Sequence, residues 1–439
     1  MSEVVNHDQQ PREIGHVVEH LFRHEAGKMV ATLTGIFGLE HLTLAEDVVQ
    51  EALARALQTW PYYGMPDNPP AWIMRTARNL ALDVVRRQKT FRDKEPEIIR
   101  LLEEHPAESS ATIPSAAFFH EQEIADDRLR LMFVCCHPQV PEVAQVALAL
   151  KTLCGFSIAE IARAFLTSEA AIAKRLTRAK QKIAEAKIPF EIPAGPKLAA
   201  RLDGVLQSLY LLFNEGYKAS GGDKLVREDI CNEAIRLASL LAKHPVGDLP
   251  KTHALLALML LNAARTPART DEEGNLLRLR DQDRSRWDRS LITRGLFHLS
   301  QSAAGGDISA YHLQAGMSAC HCLAPDYACT DWVQILALYD RLLELDPSPV
   351  VALNRAVALA EVHGAQAGLD AVNVITDSRS LEGYYLFHAV QGELESQLNH
   401  LPAAAAHFRR ALALAEIKSE QAFLTERLRA CEPVLEPVP

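Results

Sequence analysis

Apolar residues recur at spacings of three and four almost from one end of this chain to the other, set among Ala, Leu, Glu, Arg and Gln. Period-two runs of β-branched residues are missing. A strand buries one face by alternation, whereas a helix needs an apolar stripe that returns every ~3.6 residues. The pattern predicts an all-α fold. With 48% hydrophobic and 23% charged residues over 439 positions, the chain has material for several cores and is not a disordered polymer. The opening MSEVVNHDQQPREIG lacks the basic-then-apolar layout of a secretion signal, and the longest apolar run, Ala254–Leu261, is too short to span a bilayer. A cytoplasmic protein without a membrane partner is therefore expected. Its eight scattered cysteines read as reduced thiols. A net charge of −10 argues against a protein that coats nucleic acid unaided.

Compositional breaks divide the chain. Residues 93–127 hold ten acidic and two basic side chains with Pro96, Pro106 and Pro114, the signature of an extended acidic linker. The stretch IPFEIPAGP, 188–196, places three prolines in nine residues. The expected organisation is a helical bundle over 1–92, a linker over 93–126, a second helical unit over 127–187 and a helical extension over 188–439.

Within the second unit, Ser157-Ile-Ala-Glu160 is a capping box that opens a helix. Ile158, Ile161, Ala162 and Phe165 share one face of it, Leu166-Thr167-Ser168 fits a short turn, and a second helix buries Ile172, Leu176, Ala179 and Ile183. Its opposite arc carries Lys174, Arg178 and Gln181, flanked by Arg175 and Lys182, and residues 163–187 hold seven basic side chains against two acidic. A solvated helix pair explains such a hairpin in the plainest way. The tight turn, the cap and the basic arc together favour a helix-turn-helix, in which phosphate contacts fix position and side chains reach base edges.

A second basic stretch lies in the first unit. Thr43-Leu-Ala-Glu46 reads as another capping box, opening a helix that buries Leu44, Val48, Ala52, Ala56 and Leu57 and turns Glu46, Asp47, Gln50 and Glu51 outward. The loop WPYYGMPDNPPAW follows, and then a helix whose outer positions include Arg75, Arg78, Asn79, Arg86 and Arg87. Trp60, Tyr62, Tyr63 and Trp72 lie between an acidic helix and a basic one. Aromatics beside cations suit a melted strand, although Trp and Tyr in such loops more often close a core.

The order of LAEDVVQEALARAL, AWIMRTARNLALDVVRRQK, an acidic linker and the helix-turn-helix resembles the sigma-70 family of bacterial transcription initiation factors, in its compact extracytoplasmic-function type. The resemblance covers about residues 10–187. LRLMFVCCHPQVPEVAQVALALK, LLFNEGY and DQDRSRWD are similar to the subgroup with a long helical C-terminal extension. The resemblance implies that residues 1–92 are sigma domain 2 and 127–187 sigma domain 4. It implies two partners, core RNA polymerase and promoter DNA, the latter both duplex and melted. Asp47, Gln50 and Glu51 would then dock on the polymerase clamp helices. The loop 61–69, with Tyr62, Tyr63 and Trp72, would take a flipped base of the minus-ten element. Arg75, Asn79, Arg86 and Arg87 would hold that strand, and Lys174, Arg175 and Arg178 would read the minus-thirty-five element. Ala170, Ala171 and Ala173 depart from the pattern, leaving methyl contacts and DNA shape a larger share of that readout.

In the extension, residues 384–415 fit a tetratricopeptide-like (TPR-like) spacing, with Gly392, Ala404, Phe408 and Ala411 at the small and aromatic positions and Tyr339, Leu342 and Pro347 repeating the end of the pattern. Stacked hairpins of this kind offer a concave surface to a protein or peptide partner; an ordinary helical bundle is the alternative. Cys135-Cys136-His137 and Cys320-His321-Cys322 with Cys329 lack the paired spacing of zinc sites, so buried thiols are expected and no metal or cofactor. Asn214-Glu215 and RDQDRSRWDRS, 280–290, read as helix ends with satisfied side chains before they read as pocket linings. No nucleophile–base pair or phosphate loop points to an enzyme, and no catalytic residue is expected. The competing function is a one-component DNA-binding transcription regulator with a helical sensor domain, which has no reason to contain the 43–92 stretch.

Overall fold

Helix α1 (Ala26–Phe37) buries residues around most of its circumference, and a helix apolar on so many sides needs neighbours on each of them. In the computed structural model it has them. That structure describes residues 25–87, 126–165, 167–185, 196–218, 226–272, 274–375 and 381–432, together with 14, 15, 17, 18 and 21. Among these the chain is helical, with one isolated bridge, Thr270 to Leu276, and no strand. The acidic linker and the proline-rich break at 188–195 lie outside the described residues. The chain forms two compact units, residues 1–208 with 244–246, and 209–243 with 247–439.

In the first unit α1 packs on α2 (Leu42–Tyr63), and α2 on α3 (Pro69–Arg87). The inner face of α3 consists of Ala71, Ile73, Ala77, Ala81 and Val85, and its three alanines let the helices approach closely. Pro69 and Pro70 suit the first turn of α3, where a missing N–H costs nothing, and Asn68 Oδ1 accepts from the Ala71 N–H at 3.1 Å. A second group follows: α4 (Asp127–Cys135), α5 (Glu142–Leu153), α6 (Ile158–Ala164) and α7 (Glu169–Glu185). Asp126 caps α4 by accepting from the Leu129 N–H at 3.0 Å. Helix α5 lies among α1, α4, α6 and α7. Where α1 meets α5 there is no room for a side chain: a Cβ on Gly27 would stand 2.2 Å from the Leu153 carbonyl oxygen. The unit continues beyond position 187. Leu198, Leu202 and Val205 are buried, and Arg201 Nη1 donates to the Phe133 carbonyl at 3.0 Å. Residues 202–208 are the first half of α8 (Leu202–Tyr217).

The second unit is organised around α10 (Pro250–Ala263), which is buried along both its apolar and its small-residue positions. Helices α9 (Glu228–Lys243), α11 (Arg289–Ser302) and α12 (Ala310–Leu323) cover it. From α12 onward each helix packs chiefly on its successor: α13 (Trp332–Leu345), α14 (Pro349–His363), α15 (Ala365–Asn373), α16 (Tyr385–Gln397), α17 (Leu401–Leu414) and α18 (Lys418–Cys431). Asp288, Asp331 and Ser348 accept from the first-turn N–H groups of α11, α13 and α14. Gly392 meets the Phe408 ring so closely that a Cβ would stand 2.9 Å from it, and Ala404, Phe408 and Ala411 are fully buried. Glu215, an acidic residue in an apolar run, is buried and ion-paired with Arg227.

Two partly buried imidazoles make this unit sensitive to acid. His253 Nε2 bonds to Asp248 at 2.8 Å and its Nδ1 faces Nδ1 of His298 at 2.9 Å, the rings stacked 5.1 Å apart. Burial, then the neighbouring His253 and Arg294, bring His298 down to about 4; burial, then Arg265 and Arg284, bring His321 down to about 3. An unfolded histidine titrates near ~6.5. The folded state therefore prefers the neutral rings, and their contribution is complete above that pH and lost as pH falls through 4. Thermal melts between pH ~7 and ~4 should show a falling midpoint, with a shallower fall in His298→Phe.

Candidate functional site

Three exposed faces of the first unit carry the residues singled out in the sequence. On α2, Val48, Val49, Ala52, Leu53, Ala56 and Trp60 are buried, which turns Asp47, Gln50 and Glu51 to the surface. Glu51 accepts from Arg55 Nε at 3.0 Å, while Asp47 and Gln50 have no side-chain partner among the described residues. Three sequence expectations for α2 are corrected. Leu57 is 48% exposed, because Leu53 and Ala56 supply the inward stripe at its level. The expected Thr43–Glu46 capping box does not form: α2 starts at Leu42, directly after a short 3-10 turn at Leu39–His41, without a side-chain cap.

Glu46 turns inward instead. Thr152 Oγ1 of α5 donates to one carboxylate oxygen at 2.8 Å, and the Lys180 ammonium of α7 pairs with the other. This cluster ties α2 to α5 and α7 across separations of 106 and 134 residues. Sequence reasoning counted Lys180 among the basic side chains and placed Glu46 outward, and nothing local to either residue marks the pairing.

The four aromatics around the loop divide into two pairs. Trp60 is buried and meets Trp72 edge to face with centroids 5.5 Å apart, so these two close the end of the α2–α3 hairpin. Tyr62 and Tyr63 are 84% and 89% exposed. Gly64, at φ 83°, turns the chain immediately after them in a conformation that favours glycine. Two phenol rings on open solvent beside a basic helix can stack on unpaired bases. On that helix Arg75, Asn79 and Arg86 stand four and seven residues apart and exposed, forming one stripe with Arg87 at its edge.

The third face belongs to α6 and α7. The capping box at Ser157 is present, with the Glu160 N–H donating to Ser157 Oγ at 3.1 Å and the Ser157 N–H donating to the Glu160 carboxylate at 2.7 Å. Ser168 opens α7, its hydroxyl accepting from the Ala171 N–H at 3.3 Å. Ile172, Leu176, Ala179 and Ile183 are all buried. Lys174 and Arg178, four residues apart, are exposed without an ion-pair partner among the described residues, and Arg175 is half-buried. A row of unneutralised cations on one helix face is suited to a phosphate backbone.

The thiols have a different character. Cys135 and Cys136 are fully buried, and burial pushes Cys136 up to about 12. Among the described residues no three His, Cys, Asp or Glu side chains converge to hold a metal, and no helix is long and apolar enough to cross a membrane.

Residues 21–91 match the family Sigma-70 region 2 and residues 130–183 the family Sigma-70, region 4; residues 201–303 match a family of unknown function, DUF6596. The chain belongs to the sigma-70 family, as a factor of the extracytoplasmic-function type whose two sigma regions are followed by a helical C-terminal extension. It is 41% identical over 396 residues to an uncharacterized protein of Rhizobium meliloti (strain 1021), an alignment that covers 90% of this chain and 92% of that one. No solved structure matches it.

The Glu46 cluster carries a direct test. Lys180→Met should lower stability by about 1–3 kcal/mol, because a nearly buried carboxylate loses its cation. Glu46→Gln in the same chain should recover part of that loss. Denaturation of the two single variants and the double variant, read as a cycle, measures the coupling.

Proposed function

We propose that the chain binds core RNA polymerase and directs it to specific promoters, with its C-terminal extension modulating that activity. The supporting observation is the arrangement of the first unit: an exposed acid-and-amide face on α2, an exposed tyrosine pair, and cationic stripes on α3 and α7. In this reading Asp47, Gln50 and Glu51 meet the polymerase. Tyr62 and Tyr63 stack on the melted minus-ten strand, with Trp72 as the wall behind them, and Arg75, Asn79, Arg86 and Arg87 hold its phosphates. Lys174, Arg175 and Arg178 face the minus-thirty-five duplex. The protein is a non-catalytic cytoplasmic factor without a cofactor. Its chemistry is the differential binding of melted and paired DNA, since unstacking a base costs a few kcal/mol that a pocket must offset.

The two promoter elements lie about 25 base pairs apart, or ~85 Å of duplex at about 3.4 Å per pair. Helix α2, with 22 residues, is only ~33 Å long, and the Glu46–Lys180 pair joins it directly to α7. One molecule cannot touch both elements while that pair is closed. The packed arrangement is therefore the polymerase-free one, and polymerase binding must part α2 from α7. The extension fits this scheme as a modulator, its α16–α17 hairpin TPR-like in the Gly392–Phe408 contact and suited to a protein or peptide partner. A ligand or partner that favours one arrangement by ~1.4 kcal/mol changes their ratio tenfold.

Run-off transcription with the full chain and core polymerase tests this reading. Asp47→Ala with Gln50→Ala should sharply reduce co-purification with core polymerase at unchanged helicity; undiminished co-purification would count against the α2 assignment. Arg178→Ala should weaken promoter binding by about 1–3 kcal/mol if it contacts a base. If it contacts phosphate, the loss should be similar on all sequences, with a shallower salt dependence. Specific duplex binding that core polymerase neither needs nor enhances would favour a one-component regulator instead.

A further inference from the structure

Within the second unit, the segment joining α10 to α11 is held across α14 and α16 by its arginines. Arg278 Nη1 donates to Glu393 at 3.1 Å and Arg280 Nη2 to Glu361 at 2.9 Å. Arg284 secures the far end on the carbonyls of His321 and Ala324, at 2.6 and 2.8 Å. Beneath this strap is a half-open cavity of about 280 Å³. Its volume is close to the lower end of the ligand-pocket range, roughly 300 Å³.

The walls and rim define what would fill it. Aromatic rings from Tyr327, Trp332, Phe408 and Phe423 and the small side chains of Ala360 and Ala389 form the lining, which is overwhelmingly apolar. The charges at the mouth are already matched. Arg278 bridges Asp281 and Glu393, Arg427 holds the second Glu393 oxygen at 2.8 Å, and Arg280 and the Tyr327 hydroxyl share Glu361. Three cations face three carboxylates, so an ionic ligand of either sign would have to break an ion pair to enter. The exposed Gln397 amide at the rim has no partner among the described residues and can donate to a neutral oxygen.

We propose that this cavity binds an uncharged, ring-containing apolar small molecule with a carbonyl or hydroxyl oxygen at the rim, making the extension a ligand-binding module. The proposal goes beyond the promoter-directing role and does not depend on it, because its test reads binding without transcription. The full chain is titrated with phenylnaphthylamine, a neutral apolar fluorophore, and energy transfer from tryptophan is followed. Saturable one-to-one binding is expected. Ala360→Trp, on the cavity wall, should weaken it by about tenfold or more, and Trp332→Phe should retain binding with a measurably lower transfer, Trp287 remaining as a second donor. The Trp332→Phe arm keeps the test decisive if Ala360→Trp fails to fold. Absence of saturable binding, or transfer unchanged in Trp332→Phe, would overturn the proposal. So would binding unchanged in a folded Ala360→Trp chain, or tighter binding of anionic anilinonaphthalene sulfonate than of the neutral probe. Competition by unstructured apolar peptides at concentrations where small aromatic ketones do not compete would assign the cavity to a peptide, and would also overturn it.

Discussion

Nine of the twelve residues of α5 are buried, and a helix of that composition is stable in water only when other helices surround it. The arrangement of the first unit follows from that requirement. Helices α4, α6 and α7 cover part of α5, and α1 supplies a further side from a segment more than a hundred positions earlier in the chain. The Gly27–Leu153 approach is the tightest consequence, because only a hydrogen on the α1 side allows the two backbones to touch. The exposed cations of α7 depend on the same core. Lys174 and Arg178 point outward because Ile172, Leu176, Ala179 and Ile183 are committed inward.

Local features of this chain are legible in its sequence, and contacts between distant segments are not. The Ser157–Glu160 box and the buried stripe of α7 each depend on residues within a turn or two of one another. Periodicity and capping chemistry report such features directly. The similar-looking Thr43–Glu46 pattern misled for a physical reason: Glu46 has better partners in Thr152 and Lys180 than the backbone N–H of its own first turn. Tertiary satisfaction of a buried charge outweighs a local cap. The aromatics were legible as a group but not individually. Whether a Trp closes a core or faces solvent depends on what lies opposite it, and only the Trp60–Trp72 contact separates that pair from Tyr62 and Tyr63.

The extension shows the same division. Gly392, Ala404, Phe408 and Ala411 were recognisable by spacing, and they do meet across one helical hairpin. The stretch 280–290 read first as a helix end, and Asp288 does cap α11. Its neighbour Arg280 instead reaches Glu361, 81 positions away, and forms part of a cavity wall. A dense mixture of charges in sequence looks like a solvated surface. Here Arg280 pairs with Glu361 and Arg284 donates to the His321 and Ala324 carbonyls, partners that lie 37 to 81 positions along the chain.

The pairing of α1 with α5 also has a consequence in time. A chain leaves the ribosome from its N-terminus at about 5–20 residues per second, so α1 is exposed for roughly 6 to 25 seconds before α5 has been made. Throughout that interval Met29, Val30 and Leu33, all buried in the finished protein, lack the cover that α5 gives them. In the second unit the helices from α12 onward meet their chain neighbours as each emerges, whereas Lys218, Arg278 and Arg280 wait for Glu420, Glu393 and Glu361. Newly made molecules therefore complete their first unit in one late step and most of the helix stack of the second progressively. A chaperone that shields nascent apolar helices would have its main work in the first third of the chain.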